Sequence, residues 1–484
     1  MLSTAVDWEM LGNTLLLGLS ATLWAVLLGT GTAWLCNRTD MPGARWIGMS
    51  ALLPILFPPI LVAASFTDLC DARGFVVIGL VMAVAHMPFT LALTARGLRS
   101  VDGRLYEACL LARGRGAAER MLLRQVLPDI LAGALLVLVF VVTEHGVPEF
   151  LSVKGKPWRV YSEAVFLKWS VPDLPGSLRS AEATAFSVPL IAVCAVFAWL
   201  CLRARRRGSL VTLAGDFRPL PVRRLGRWRW PALLLALAPV TLGLVVPTWR
   251  MAAWTAGATA NKPMGLDVVK QSFRMAWADW GGNLGYTLLV AALVGLVVIA
   301  LGGLLGWYSA RGRRPWIEGL TMATLAVPAI LLGVGFIRLW NRGGLLSDLY
   351  ESPAALVAAY ATRFLPLGVL ALANAWRRVP RELEEAGVLT GRGTGARLLG
   401  LRLPLVAGSL GSVWILAWLL SLRELDLAVL LKAGNSMAVR PISNAVHFGY
   451  EDKAAALSLM LLVCAAAPLI VRLLATGKTG EATS

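Results

Sequence analysis

The chain has 484 residues, of which 57% are hydrophobic and 15% charged, and this composition excludes an ordinary soluble protein. Its mean hydropathy of +0.68 indicates that lipid is its main solvent. The formal net charge of +18 does not indicate nucleic-acid binding, because the arginines stand in short stretches between apolar segments, where membrane topology explains them.

Long apolar segments follow one another along the chain, and each can cross about 30 Å of hydrocarbon as a helix. The first has no basic stretch before it, so we expect a retained span and not a signal peptide. The pattern predicts an all-α, polytopic fold with about 11 membrane helices. They lie near Asn13–Cys36, Ile47–Thr67, Phe75–Ala95, Leu127–Thr143, Ala183–Leu202, Trp230–Pro247, Gly285–Tyr308, Glu318–Trp340, Ala354–Ala373, Pro404–Leu422 and Ala454–Leu474.

The arginine-rich loops all alternate onto one side of the predicted membrane, which the positive-inside rule makes cytoplasmic. The opposite loops are acidic or mixed, as near Asp68 and Asp71. An odd number of spans then places the N-terminus outside and the C-terminus inside. The arginine-rich loops are those at 38–45, 96–124, 203–229, 311–314 and 377–402.

An internal repeat indicates the architecture. The segment Gly12–Leu16 matches Gly285–Leu289, and Arg38 matches Arg311 at the same offset of 273 residues. Further on, Pro88 precedes Glu107 by 19 residues, and Pro366 precedes Glu385 by 19. The repeat predicts two tandem cores of the same orientation.

The two copies are separated by a basic stretch and one further apolar helix. A first core that begins outside and ends inside requires one extra crossing before a second core of the same orientation. We therefore predict a first core at 1–202, a basic cytoplasmic linker at 203–229, and a return helix plus second core at 230–484.

The most informative segments are two long cytoplasmic loops, one in each copy. The second carries Glu385, Ala386 and Gly391 and ends in Leu403-Pro404. It resembles the EAA motif of binding-protein-dependent ABC importer permeases: Glu-Ala-Ala, three residues, Gly, nine residues, then Ile-x-Leu-Pro. The glutamate, the glycine and the Leu-Pro pair all fall at the family spacing.

The first loop carries the same elements with an irregular spacing. It begins at Glu107 and Ala108 and reaches Leu127-Pro128 two residues later than the family pattern. Its glycine is Gly114 or Gly116. In both loops we expect the Leu-Pro pair to end the loop and start the next membrane helix, and the glutamate to orient the loop through backbone NH groups or arginines.

The resemblance extends over nearly the whole chain, to fused permeases of the iron(III), thiamine and phosphonate type with two MetI-like permease cores. It implies a multi-pass subunit of the bacterial inner membrane, two copies of a separate ABC ATPase subunit, and an extracytoplasmic solute-binding protein. ATP would be bound by those partners, and this chain would hold no cofactor. Each loop would couple an ATPase subunit to the membrane helices. Alternatively, either loop is only a solvated connection between two helices, but the occurrence of two copies favours the coupling role.

Ionisable residues within predicted spans are the candidates for the pathway, because a charge in hydrocarbon costs at least about 2.5–3.5 kcal/mol. They are His86, Glu144, Arg363, Arg423 and Glu424. Alternatively, these groups pair locally or reach the membrane interface. Prolines near the middle of two spans predict kinks, namely Pro54, Pro58, Pro59 and Pro328.

Other function classes are less consistent with the sequence. The scattered cysteines and histidines give no metal spacing, and no nucleophile elbow, P-loop or dinucleotide fingerprint is present. We therefore expect no enzyme activity in this chain. The competing transport class is a secondary carrier driven by an ion gradient, which also uses repeated helical halves. The solute stays open among ferric ion, thiamine, aminoalkylphosphonate and similar small polar solutes.

Overall fold

The computed structural model describes residues 7–152, 158–170, 182–207, 217–258, 265–312, 314, 316–325, 327–340, 344–391, 393–431, 436–449 and 452–480. In this part of the chain the secondary structure is helical, and one isolated bridge joins Thr39 to Arg223. The expected all-α class is confirmed. Part of the predicted linker, 208–216, lies outside the described residues.

The chain divides into two compact units, Met1–Met264 with Val446–Glu451 and Gly265–Ala445 with Asp452–Ser484. The helices of the first are α1 Trp8–Arg38, α2 Ala44–Ser50, α3 Pro59–Cys70, α4 Phe75–Ser100, α5 Gly103–Arg113, α6 Arg115–Thr143, α7 Gly146–Leu151, α8 Tyr161–Ser170, α9 Val188–Arg207, α10 Arg229–Val240 and α11 Val246–Thr255.

The remaining helices are α12 Leu266–Arg311, α13 Trp316–Leu325, α14 Ala329–Trp340, α15 Leu345–Glu351, α16 Pro353–Arg377, α17 Arg381–Leu389, α18 Thr394–Arg397, α19 Leu403–Arg423, α20 Asp426–Leu430, α21 Val439–Phe448 and α22 Asp452–Gly480. Helix α12 is 46 residues long, so it extends beyond the predicted span at both ends.

Eight helices of the described residues are long and apolar enough to cross a membrane, and two bent pairs raise the number to ten. A shorter apolar helix, Val188–Leu200, lies at another predicted span. The chain is therefore polytopic, and every span expected from the sequence coincides with one of these helices. The exact number of crossings stays a prediction.

The second predicted span of each unit is broken, as its prolines indicate. In the first unit Ala44–Leu56 and Pro59–Cys70 meet at 98°, with Pro58 at the break. In the second unit Trp316–Leu325 and Ala329–Trp340 meet at 95°, and Pro328 directly precedes the second helix. Proline has no NH to donate and clashes with the preceding turn, so the helix ends there.

Glycines bring the long helices of each unit into close contact. A Cβ atom on Gly29 of α1 would lie 2.8 Å from the Met87 carbonyl oxygen of α4. In the second unit Gly302 of α12 stands 273 residues after Gly29, and a Cβ on it would lie 3.1 Å from the Gly368 carbonyl carbon of α16. Small residues allow this approach between membrane helices, where lipid supplies no hydrophobic drive. The matching contacts agree with the repeat in the sequence.

The helix formed by α10, a turn at Thr241–Val245 and α11 belongs to the first unit. Arg250 pairs with Asp68 of α3, and the Trp254 indole donates to the same carboxylate at 2.9 Å. A Cβ on Gly243 would lie 2.7 Å from Pro54 Cγ. The predicted boundaries group this return helix with the second core, whereas its contacts in the structure are with the first unit.

One threonine of the repeated segment has the same role in both units. Thr14 Oγ1 accepts a hydrogen bond from the Tyr161 NH at 2.8 Å, and Thr287 Oγ1 accepts one from the Ala438 NH, also at 2.8 Å. Both side chains are buried, and both NH groups stand at or next to the start of a helix. The matched threonines thus satisfy NH groups that have no partner within their own helices.

Replacing Thr287 by valine should destabilise the second unit by about 1–3 kcal/mol, because the buried Ala438 NH loses its acceptor. Thr287→Ser keeps the hydroxyl and serves as the control. Thermal unfolding in detergent, followed by near-ultraviolet circular dichroism, measures both variants. Equal unfolding temperatures for the two would show that this hydrogen bond contributes nothing.

Candidate functional site

The first EAA-like loop is a helix, a tight turn and a second helix. Helix α5 begins after Asp102, whose carboxylate accepts from the Arg104 NH at 2.9 Å. It carries Glu107 and Ala108 and ends at Gly114, which has φ +73° and ψ 176°. This conformation is essentially restricted to glycine. Gly116 lies inside α6, so Gly114 is the turn glycine of the first loop.

The second loop has the same order of a short helix, a turn glycine and a second helix, with shorter spacings between its motif residues. Helix α17 carries Glu385 and Ala386, and the chain then turns at Gly391, which has φ +68°. The turn glycine follows the motif glutamate by six residues here and by seven in the first loop. Leu403 follows Gly391 by 12 residues, whereas Leu127 follows Gly114 by 13. The two extra residues of the first loop therefore lie on either side of its glycine.

The expectation for the Leu-Pro pair is wrong in the first unit. Pro128 lies inside α6, a continuous helix that begins at Arg115. In the second unit Leu403 begins α19, but the preceding residues Leu398–Arg402 are already wound as a π-helical turn. The predicted loop therefore ends at the turn glycine, and in both units the helical segment that follows begins well before the Leu-Pro pair.

Gly114 and Gly116 form a matched pair for testing this turn. Gly114→Ala should destabilise the loop by about 1–3 kcal/mol, because its backbone conformation is unfavourable for any residue with a Cβ. Gly116→Ala meets no atom within 4 Å and lies in a helix, where alanine is favoured. Hydrogen exchange across residues 103–125 should accelerate for the first variant alone. Faster exchange in both would contradict the assignment.

On each short helix the most exposed large apolar side chain stands at the same step beyond the glutamate. Leu111 and Leu389 both follow the motif glutamate by four residues, and both are 88% exposed. Ala108 and Ala386 precede them by three residues and are also exposed, so each lies on the same face as its leucine. A small residue beside an exposed leucine gives each helix a surface that suits close docking of a partner.

The motif glutamates have different surroundings in the two units. Glu107 Oε2 lies 3.2 Å from Nη1 of Arg218, which belongs to the basic linker. Glu385 is exposed, and its neighbour Glu384 makes the ion pairs of the second loop. Glu384 Oε1 lies 2.7 Å from Arg311 Nη2 and 3.4 Å from Arg402 Nε. Sequence reasoning missed Glu384, although the match of Arg38 with Arg311 marked one of its partners.

Arg38 has in the first unit the position that Arg311 has in the second. It is 3% exposed, its guanidinium lies 4.7 Å from the centre of the Tyr106 ring, and Nη2 lies 3.6 Å from Glu119 Oε1. Tyr106 donates to the same carboxylate oxygen at 2.8 Å. Burial, followed by this hydrogen bond, raises the pKa of Tyr106 above its ordinary value, so the phenol keeps the proton that it donates. An arginine at the end of the first long helix thus contacts the helix that carries the motif glutamate in both units.

Three of the five pathway candidates meet in the second unit. Arg363 Nε lies 3.0 Å from Glu424 Oε2, within ion-pair distance although not aligned as a hydrogen bond. Tyr360 donates to the Glu424 carbonyl oxygen at 3.0 Å. Arg423 and Asp426 stand next to them in sequence, and all four charged residues are at least nine-tenths buried. The structure therefore brings Arg363, Glu424 and their neighbour Arg423 to one end of α19.

His86 and Glu144 lie in the first unit in different surroundings. His86 is buried within α4, its Nδ1 is 2.9 Å from the Met82 carbonyl oxygen, and its ring stacks on Phe140 at 5.9 Å. Glu144 ends α6, and its carbonyl oxygen accepts from the Ser162 hydroxyl at 2.7 Å. The position in α4 that matches Arg363 by its distance from the proline is Ala85. The buried Arg–Glu pair of the second unit is therefore not repeated there.

The similar proteins named below are permeases of transport systems. No family model matches this chain. It is 22% identical to the Fe(3+)-transport system permease protein FbpB 2 of Haemophilus influenzae over 475 residues, which are 96% of this chain and 89% of that protein. It is 27% identical over 221 residues to the diacetylchitobiose uptake system permease protein DasC of Streptomyces coelicolor, covering 42% of this chain and 75% of DasC.

A third relative is the trehalose transport system permease protein SugB of Mycobacterium tuberculosis. The two chains are 25% identical over 164 residues, which cover 33% of this chain and 58% of SugB. Together with the apolar helices, these similarities make the chain a multi-pass membrane protein whose relatives are permeases of ABC transporters.

Proposed function

We propose that this chain is the fused permease subunit of an ABC importer, with two tandem cores that move a small polar solute across the bacterial inner membrane. The observation that carries the proposal is the pair of short helices that end at a turn glycine, each with its motif glutamate and a leucine 88% exposed. Two such surfaces suit two copies of one ATPase partner. The chain itself binds no ATP in this proposal.

The tandem arrangement has independent support. Less than half of this chain covers 75% of DasC, so one core corresponds in size to a whole permease of that kind. FbpB 2, in contrast, is matched over nearly the full length. The two compact units and their matched threonine and glycine contacts support the same division.

The relatives also suggest which solutes to test first. The protein matched over 96% of this chain is named for Fe(3+), and two shorter matches are named for sugars. We therefore place ferric iron first among the candidate solutes and small sugars second. A solute-binding protein outside the membrane would deliver the solute, and the permease would alternate between outward and inward openings.

Reconstitution with a candidate ABC ATPase and solute-binding protein from the same organism tests the proposal. In proteoliposomes we expect uptake that requires internal ATP and persists when ion gradients are collapsed. Uptake that survives complete removal of ATP while an ion gradient is intact would instead establish a secondary carrier. The buried Arg363–Glu424 pair is also compatible with that alternative. Glu385→Lys should weaken co-purification of the ATPase, because it alters one of the two docking helices.

A further inference from the structure

The end of the basic linker runs along the first unit and is hydrogen-bonded to it through the backbone. The Arg223 NH donates to the Arg38 carbonyl at 2.7 Å, and the Asp40 NH donates to the Arg223 carbonyl at 3.1 Å. The Gly103 NH, at the start of α5, donates to the Arg218 carbonyl at 2.8 Å. We call residues 217–225 the strap. A plain tether needs length alone, whereas the strap has fixed partners on α1 and α5.

Close packing also holds the strap against the first unit, in addition to the hydrogen bonds. A Cβ on Gly103 would lie 2.5 Å from the Pro219 carbonyl oxygen, so the glycine is required for this approach. Leu220 packs on a buried cluster that includes Tyr106 of α5 and Leu122 of α6. Val222, two residues later, is 60% exposed. The strap therefore presents one apolar side chain to the loop and turns another towards solvent.

Two charged contacts join the strap to the parts identified above as coupling elements. The buried guanidinium of Arg38 donates to the Pro221 carbonyl while it contacts Tyr106 and Glu119. Arg218 pairs with the motif glutamate, Glu107. One arginine thus links α1, the strap, α5 and α6.

In the second unit the corresponding link is made by Arg311 directly. Arg311 donates directly to the Val379 carbonyl at 3.1 Å, in the loop that leads into α17, and pairs with Glu384 of that helix. Glu385, the counterpart of Glu107, is exposed. The first coupling loop is therefore held partly by the linker, and the second by its own residues.

We propose that the strap is a positioning element of the first coupling loop, which holds α5 to the end of α1 so that movement of the loop reaches the membrane helices. This inference rests on the proposed function for its consequence, though not for its geometry. The linker then does more than connect two cores: it makes the two coupling loops unequal. Loss of the strap should uncouple ATP hydrolysis from transport at the first loop while the ATPase stays bound.

The docked geometry is tested by cross-linking. Thr39 and Arg223 form a parallel bridge, and bridged strands lie about 4.8 Å apart, within the range for a disulfide. In a chain whose own cysteines are replaced by alanine, Thr39→Cys with Arg223→Cys should oxidise to near completion and leave ATP-driven uptake unchanged. Two results would contradict the proposal that the strap stays bound to the first unit during transport. One is that the cysteines do not cross-link, and the other is that cross-linking abolishes uptake and reduction restores it.

The coupling role is tested by Leu220→Asp against Val222→Asp, which places the same charge on the exposed side of the strap. Leu220→Asp should raise the ATP hydrolysed per solute transported about fivefold or more, the lower end of the range for coupling between two sites. Val222→Asp should not change it. Leu220→Met should restore it, and co-purification of the ATPase with all three variants shows that the loops are still folded.

The outcomes separate the two proposals. If the unaltered chain shows no ATP-dependent uptake, the proposed function fails, whatever the cross-link shows. If the unaltered chain transports and Leu220→Asp transports equally well at the same ATP ratio, the strap is a passive connection and the inference is wrong. Replacing 217–225 by glycine and serine at equal length should reproduce the Leu220→Asp phenotype.

Discussion

Changing both exposed leucines to aspartate, Leu111→Asp with Leu389→Asp, should release the ATPase from the membrane subunit and abolish ATP-driven uptake. Each side chain is 88% exposed in this chain and stands on a short helix beside a small alanine. Burying a leucine in a partner's groove contributes about 1.5–3 kcal/mol. An aspartate there would lose this contribution and add the cost of an unpaired buried charge.

The single variants should be much milder than the double variant. A chain with two docking helices holds its partners at two points, and one intact point keeps the local concentration of the other high. Each single substitution should weaken co-purification of the ATPase by about tenfold or more, because every ~1.4 kcal/mol lost is a factor of ten. The double variant should retain none that can be detected.

Each helix supplies its own control. Leu105 and Leu383 precede the two docking leucines by six residues and are 50% and 42% exposed. Six residues turn a helix by about 240° from the docking side, so aspartate at these positions adds the same charge on another face. If Leu105→Asp with Leu383→Asp releases the ATPase as completely as the first pair, net charge and not the docking face explains the effect.

Much of the helical organisation could be predicted from the sequence, because apolar length and proline leave strong local signals. The breaks at Pro58 and Pro328, and the turn at Gly391, follow from backbone restrictions of single residues. The start of α6 was misplaced because Arg115–Val126 is polar and amphipathic, so hydropathy ends at the membrane surface while the helix continues.

The residues that contact the two coupling loops are harder to predict from the sequence. Glu384 and Glu385 are adjacent glutamates, and the motif drew attention to Glu385, whereas the ion pairs form at Glu384. Which of two neighbours faces an arginine 73 residues away depends on how the helix is rotated. The strap is still less visible, because most of its contacts are made by backbone atoms, which any sequence has.

Glu424→Ala should strongly destabilise the second unit. It leaves the guanidinium of Arg363, whose side chain is 9% exposed, buried without its carboxylate. Breaking one side of a buried ion pair costs about 3–5 kcal/mol. We expect markedly lower yield in detergent and a lower unfolding temperature. Asp279→Ala provides the contrast, because its pair with Lys453 is partly exposed to solvent and should contribute about 0–1 kcal/mol.

Replacing both charged partners separates a structural role of this pair from a role in transport. Arg363→Met with Glu424→Leu removes the unpaired charge and fills similar volume, so stability should return to near that of the unaltered chain. If the pair lines the pathway, ATP-driven uptake stays low in this folded double variant, and ATP is still hydrolysed. If uptake recovers together with the unfolding temperature, Arg363 and Glu424 only join α16 to the end of α19, and the pathway must be lined by other residues.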